Sequence, residues 1–236
     1  QSGYAEDCKS LYAGSIPTLA SKFYIMIETL ALTDFRNHTM CRIKTHNRQN
    51  VIITGPNGAG KTAILEALSI LSGDRGMRGA QVADVVRFGG NGFSIFATLD
   101  DDTEISVTFD LGDTNRRAKI DGDAATMVEL NSHLPMVWLT PREDRLFVEG
   151  ASERRAFFDR LVSGFDAVHS GRVARFSKLL SERAFALKSG RDMRWVDVLD
   201  DQIAATATAI AAARIQYAGE INYFLQNAAV SVSGML

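Results

Sequence analysis

Cysteine is scarce in this 236-residue chain: Cys8 and Cys41 are far apart and stand outside any Cys-x-x-Cys pair. That argues against a disulfide framework and a cysteine zinc site, and it leaves reduced thiols of a cytosolic protein as the reading. Long apolar runs are missing as well. None approaches the roughly 18 residues that a membrane-spanning helix needs, and the first residues, "QSGYAEDCKSLYAGSIPTLASKFYIM", lack the charged segment and apolar core of a secretory signal. An excess of charge of either sign is absent too, the net value being −2. The overall balance therefore predicts neither nucleic acid nor an acidic membrane as partner, and any basic surface has to be local. There is no internal repeat and no low-complexity tract. What is present, 46% hydrophobic and 23% charged residues, is the composition of an ordinary folded chain with a sizeable core.

The chain does not begin with methionine, and residues 1–25 read as a poorly structured extension, with Met26 as a natural start. Phe23–Leu32, "FYIMIETLAL", and Asn50–Gly55, "NVIITG", read as strands on their β-branched and apolar content. "KTAILEALSILSG" places Ile64, Leu65, Leu68 and Leu71 at helical spacing and ends at Gly73. "GFSIFATLDDDTEISVTFDLGDTNRRAKIDGD" holds three alternating segments separated by Asp/Gly turns, the pattern of an antiparallel meander. Pro135–Thr140, "PMVWLT", reads as another buried strand. From Ser152 to Asn227 the pattern becomes long helical segments whose third, alanine-rich member predicts a long antiparallel pair. The expected division is thus 1–25 extension, 26–150 an α/β lobe and 151–236 a helical lobe.

Gly55, Gly60, Lys61 and Thr62 satisfy Gly-x-x-x-x-Gly-Lys-[Ser/Thr] between an expected strand and an amphipathic helix. Glycines in such a loop let backbone N–H groups turn inward around phosphates at a helix N-terminus, where the dipole favours negative charge. Lys61 would reach the β- and γ-phosphates of a nucleotide, and the Thr62 hydroxyl would occupy a Mg²⁺ position. Pro56, Asn57, Gly58 and Ala59 complete the loop, the last three contributing backbone alone. The plain alternative is a chance glycine-rich turn. The loop by itself does not separate a kinase, a transporter ATPase and a DNA-bound ATPase.

Four stretches narrow the choice: "LALTDFRNH", "GPNGAGKTAILEALSILSGDRGMR", "VWLTPREDRLFVEG" and "ASERRAFFDRLV". In that order and spacing the chain resembles the RecF family, ABC/SMC-like ATPases of bacterial recombinational repair, from about Met26 to about Leu161 and more diffusely beyond. The resemblance implies a P-loop NTPase fold of the ABC/SMC head type, α/β with an antiparallel β meander and a helical lobe. It implies that Gly55–Thr62 bind ATP and Mg²⁺, that Arg36 of "FRN" lies near the phosphates, and that Arg78 of "GMR" is a second phosphate-proximal arginine. Pro141, Gly150, Arg154, Arg155, Phe157 and Asp159 match the family fingerprint. Arg142 stands where an acidic residue is usual, one residue is added before Gly150, and Ala151 replaces a common proline. Ser152 can cap a helix whose Phe157, Phe158 and Leu161 face inward and whose Arg154 and Arg155 lie near the start.

Between Ala151 and Arg194 ten Lys/Arg face five Asp/Glu. Arg154, Arg155, Arg172, Arg175 and Lys178 are the candidate DNA contacts, the alternative being a solvated helix face with i,i+4 pairs. The resemblance further implies binding to single-stranded DNA and gap junctions, an ATP-dependent homodimer, RecR and RecO as partners in recombinase loading during the response to DNA damage, a cytoplasmic setting and no membrane. A site of this class also needs an acidic pair after an apolar strand. "FATLDDD" (Phe96–Asp102) reads instead as a hairpin turn, and "WVDVLDD" (Trp195–Asp201) as a helix. No ABC signature turn is seen before Leu236, so the chain is expected to be the first two-thirds of such a protein, with weak ATPase activity at most. A small-molecule P-loop kinase or a transporter ATPase subunit is the alternative.

Overall fold

The computed structural model describes residues 25–46, 48, 50–148, 150–190 and 193–232. Its centre is a six-stranded antiparallel sheet in the order β2-β1-β3-β4-β5-β6. The strands are β1 (Ile27–Phe35), β2 (His38–Lys44), β3 (Gly92–Leu99), β4 (Glu104–Asp110), β5 (Arg117–Ile120) and β6 (Asp123–Ala125). Period-two alternation explains them: Leu30 and Leu32 of β1, Phe93, Ile95, Ala97 and Leu99 of β3, and Ile105, Val107 and Phe109 of β4 are all buried on one face. Phe93 joins the strands at one end, meeting Phe35 edge-on at 5.4 Å and Phe109 at 5.9 Å between ring centroids.

Against that face lies α1 (Lys61–Leu71), with Ala63, Ile64, Ala67, Ile70 and Leu71 buried in the same cluster. Of the expected face Ile64, Leu65, Leu68 and Leu71, Ile64 and Leu71 are buried and Leu68 packs against the core, but Leu65 points away and is 47% exposed; the buried stripe extends instead through Ala63, Ala67 and Ile70. The helix stops at Gly73, whose φ of +83° an alanine would resist. Next in order come α2 (Met127–His133), α3 (Ala151–Phe165), α4 (His169–Lys188) and α5 (Met193–Val232). Thr126 and Glu129 close a reciprocal capping box on α2.

Three expectations are corrected. Asn50–Gly55 forms no strand: Val51 and Ile52 are 51% and 86% exposed, and the segment has no ladder partner among the described residues. Apolar content alone does not make a strand when no neighbour takes up its N–H and C=O groups. Pro135–Thr140 is likewise irregular, with Leu139 74% exposed. Ser152 is not the cap of α3: the extended residue before the first turn is Gly150, without a side-chain cap, and Ser152 already lies inside the helix. Of the first strand expected at Phe23–Leu32, β1 begins only at Ile27 and runs on to Phe35; Phe23, like the extension up to residue 24, falls outside the described residues.

The helices form a second cluster in which Leu179 and Ala186 of α4 pack on Val196 and Leu199 of α5. Asp159 of α3 ties them together. Arg214 of α5 forks onto its carboxylate at 2.8 and 2.7 Å, and the buried His169 of α4 meets it at 2.8 Å. Burial alone would push the Asp159 carboxyl up, but the hydrogen bonds from Arg214 and His169 outweigh it and hold the group below its ordinary value.

Candidate nucleotide site

The Gly55–Thr62 loop enters α1 through backbone shapes that its glycines supply: Gly58 and Gly60 have φ of +82° and +90°. No side chain caps α1. The first-turn N–H groups of Lys61, Thr62 and Ala63 are thereby left for an anion, at the positive end of the helix dipole.

The β1–β2 turn supplies the opposite wall. Asn37 donates from Nδ2 to the Gly58 carbonyl at 3.0 Å, and His38 Nε2 meets the Gly60 carbonyl at 3.2 Å. Lys61 Nζ donates to the Gly55 and Pro56 carbonyls, both at 2.7 Å. These bonds engage the carbonyls of Gly55, Pro56, Gly58 and Gly60, and the Ala59 N–H donates to the Pro56 carbonyl at 3.3 Å within the loop. Arg36 sits in the same turn at φ +54°, its N–H bonded to the Val85 carbonyl at 2.7 Å. A non-glycine residue in the left-handed region costs about 1–2 kcal/mol, and such strain collects at functional sites.

Arg36, Asn37, Asn57, Gly58, Gly60, Lys61, Thr62 and Arg78 thus border a single cleft of about 570 Å³, together with Asp84. Its size falls in the range of small-molecule sites. The structure therefore brings Asn57, Gly58, Gly60, Lys61 and Thr62 of the loop together with both arginines, while Gly55, Pro56 and Ala59 lie outside the cleft lining. Sequence reasoning overlooked Glu66, which is 1% exposed and accepts from Arg36 Nε at 2.9 Å and from Nη2 at 2.6 Å. Arg78 Nη1 lies 3.9 Å from the same carboxylate. Nothing in the local pattern of "FRNH" marks Asn37 and His38 as contacts of the loop. Thr62 lines the cleft with a hydroxyl, an oxygen suited to a hard cation, which commonly takes one or two protein oxygens beside phosphate. No cluster of three or more His, Cys, Asp or Glu suited to a metal occurs among the described residues.

The acidic stretches lie elsewhere. Asp100, Asp101 and Asp102 form the β3–β4 turn, where Leu99 pairs with Ile27, at the end of β1 remote from Arg36. Asp200 sits within α5 and pairs with Arg183. The candidate DNA contacts lie outside the cleft, on α3 and α4. Arg172 pairs with Asp166 at 2.5 Å, Lys178 with Glu182 at 3.8 Å, and Arg175 donates to Gln202 at 3.3 Å. Arg154 reaches the Leu146 carbonyl at 3.4 Å, and Arg155 is exposed one position on. Phe157 of the fingerprint stacks on the Arg160 guanidinium at 5.3 Å, and Trp138 does so at 5.0 Å. Phe158 meets Tyr217 of α5 at 5.6 Å.

Residues 29–170 match the AAA domain family model. DNA replication and repair protein RecF of Rhizobium rhizogenes is 41% identical over 229 residues, covering 90% of this chain and 61% of that protein. RecF of Allorhizobium ampelinum is 42% identical over 196 residues, covering 80% and 52%. A solved structure of the recombination mediator protein RecF-ATPrS in the RecFOR pathway superposes with a TM-score of 0.73 at 23% identity, over 83% of this chain and 54% of that one. The fold is accordingly that of the RecF structure, α/β with an antiparallel meander and helices. The chain spans about three-fifths of the length of the first of these relatives and about half that of the others. No helix among the described residues is long and apolar enough to cross a membrane. With the motifs in "LALTDFRNH", the loop and "ASERRAFFDR" in place, the resemblance to RecF is borne out, and the chain belongs to the AAA domain family.

Proposed function

We propose that this chain is the ATP-binding part of a RecF-type DNA replication and repair protein. The observation that carries the reading is the convergence of the Gly55–Thr62 loop, Arg36 and Arg78 on one cleft. ATP would lie with its phosphates on the loop N–H groups, Lys61 would exchange its two loop carbonyls for phosphate oxygens, and Arg36 and Arg78 would add charge from the far side. Mg²⁺, bound beside the phosphates, would neutralise part of their charge, with Thr62 as its protein ligand. At the level of the whole protein, two ATP-bound copies would close on single-stranded or gapped DNA and support recombinase loading with RecR and RecO, in the cytoplasm. The exposed Arg155, with Arg154 on α3 and Arg172, Arg175 and Lys178 on α4, are the proposed DNA contacts.

Titration with a fluorescent ATP analogue and Mg²⁺ tests the core of this reading. Saturable binding is expected, weakened roughly tenfold to a hundredfold by Lys61→Ala, the range for a hydrogen bond to a charged group. Binding indifferent to Lys61→Ala would overturn the nucleotide site. Filter retention of gapped DNA with and without ATP tests the rest: retention that ignores ATP would sink the DNA-clamp reading and leave nucleotide binding standing.

A further inference from the structure

We infer that Glu66 is a positioning residue of the nucleotide site: its buried carboxylate fixes the Arg36 guanidinium, with Arg78 drawn to the same group, so that N–H donors face phosphates held by the Gly55–Thr62 loop. The inference rests on the nucleotide reading of that loop. Glu66 belongs to the buried face of α1, between Ala63 and Ile70, and is 1% exposed. An apolar side chain would fill that face without desolvating a charge, so packing does not account for a carboxylate there. The pairing does account for it. Arg36 Nε and Nη2 donate side-on to the two Glu66 oxygens, and Nη1 donates to the Asp84 carbonyl at 2.8 Å.

Three of the five guanidinium N–H bonds are thereby engaged, leaving one on each terminal nitrogen, the donors that can fork onto a phosphate. Because Glu66 shares a helix with Lys61 and Thr62, it registers Arg36 against the loop through α1, about 7.5 Å along the axis from Lys61. The carboxylate oxygen that accepts from Arg36 Nε is also the one 3.9 Å from Arg78. One negative group therefore screens two cations that would otherwise repel.

The test is a double-mutant cycle on affinity for a fluorescent ATP analogue: wild type, Glu66→Gln, Arg36→Ala and the double variant, each checked by thermal unfolding. Glutamine keeps the size of Glu66 but turns an N–H₂ toward a guanidinium that has only donors to offer. Glu66→Gln is expected to weaken binding about tenfold in the wild-type background, and by less than about twofold once Arg36 is alanine. Equal losses in both backgrounds, or no loss in either, overturn the inference, because a merely structural role would not depend on Arg36. Should Glu66→Gln fail to fold, Arg36→Lys carries the test: it keeps the charge and one ion pair but not the side-on fork. An about tenfold loss supports the inference, and unchanged affinity overturns it. Wild-type protein that binds no nucleotide would bring down the nucleotide reading itself, whereas Lys61-dependent binding untouched by Glu66→Gln would bring down this inference alone.

Discussion

Alanine at Gly60 should damage the loop far more than alanine at Gly58, although both glycines have left-handed backbone, with φ of +90° and +82°. Nothing lies within 4 Å of a Cβ added at Gly58, so that variant bears only the conformational cost, about 1 kcal/mol. A Cβ at Gly60 would lie 2.6 Å from His38 Cε1 and 2.7 Å from Asn37 Oδ1, closer than any real contact. The ring and the amide must both swing away, giving up the bonds to the Gly60 and Gly58 carbonyls, at about 1 kcal/mol each. The sum is about 3 kcal/mol, or roughly 6–12 °C in Tm against roughly 2–4 °C for Gly58→Ala, at the two to four degrees per kcal/mol typical of this size. Urea unfolding and ATP-analogue titration read both effects. Adding His38→Ala should recover about 1 kcal/mol of the Gly60→Ala loss. A Gly60→Ala variant no worse than Gly58→Ala, or a loss unchanged by His38→Ala, would refute the idea that the β1–β2 turn buttresses the loop.

Further variants probe the rest of the fold. Gly73→Ala places a Cβ 3.0 Å from the Met127 carbonyl carbon and closer to its oxygen, at a φ of +83°; since backbone cannot rotate away, a loss of about 3 kcal/mol or more is expected in urea unfolding. Leu71→Ala, at a fully buried position, should cost about 2–5 kcal/mol by the same measurement. Asp159 has a folded-state pKa held below its unfolded value near 4. Its contribution to stability is therefore complete above that pH and is lost as pH falls through the lower, folded value. Acid titration of wild type and Asp159→Asn should show the variant with the flatter acid limb. By contrast Arg183→Ala, breaking a solvent-exposed pair with Asp200, should leave Tm within error.

Strands whose two faces differ were legible in the sequence. Ile95 and Ala97 inward against Ser94 and Phe96 outward, repeated in Ile105 and Val107, fixed β3 and β4 because a one-residue slip would expose a core face. Asn50–Gly55 and Pro135–Thr140 have apolar residues without that contrast. Such a run signals a wish for burial and says nothing about which backbone will pair with it. The phosphate loop was legible for the opposite reason, since its chemistry depends on local backbone and a few adjacent residues. Arg36 and Arg78 came only with the family resemblance: they lie twenty-five and seventeen positions from Lys61 by the chain numbering, and no local pattern connects them.

Glu66 could have been found by a stricter helical reading. A stripe through Ile64, Leu65, Leu68 and Leu71 puts Glu66 on the solvent side, where a glutamate after an isoleucine and a leucine raises no question. Shifting the stripe to Ala63, Ala67 and Ile70 places Glu66 inside it, one turn after Ala63 and one before Ile70. A carboxylate on a buried face must have a cationic partner, and "TDFRNH" supplied one just ahead of the loop. The small residues Ala63 and Ala67 make the apolar side of α1 easy to misplace, because a hydrophobicity pattern is dominated by its leucines.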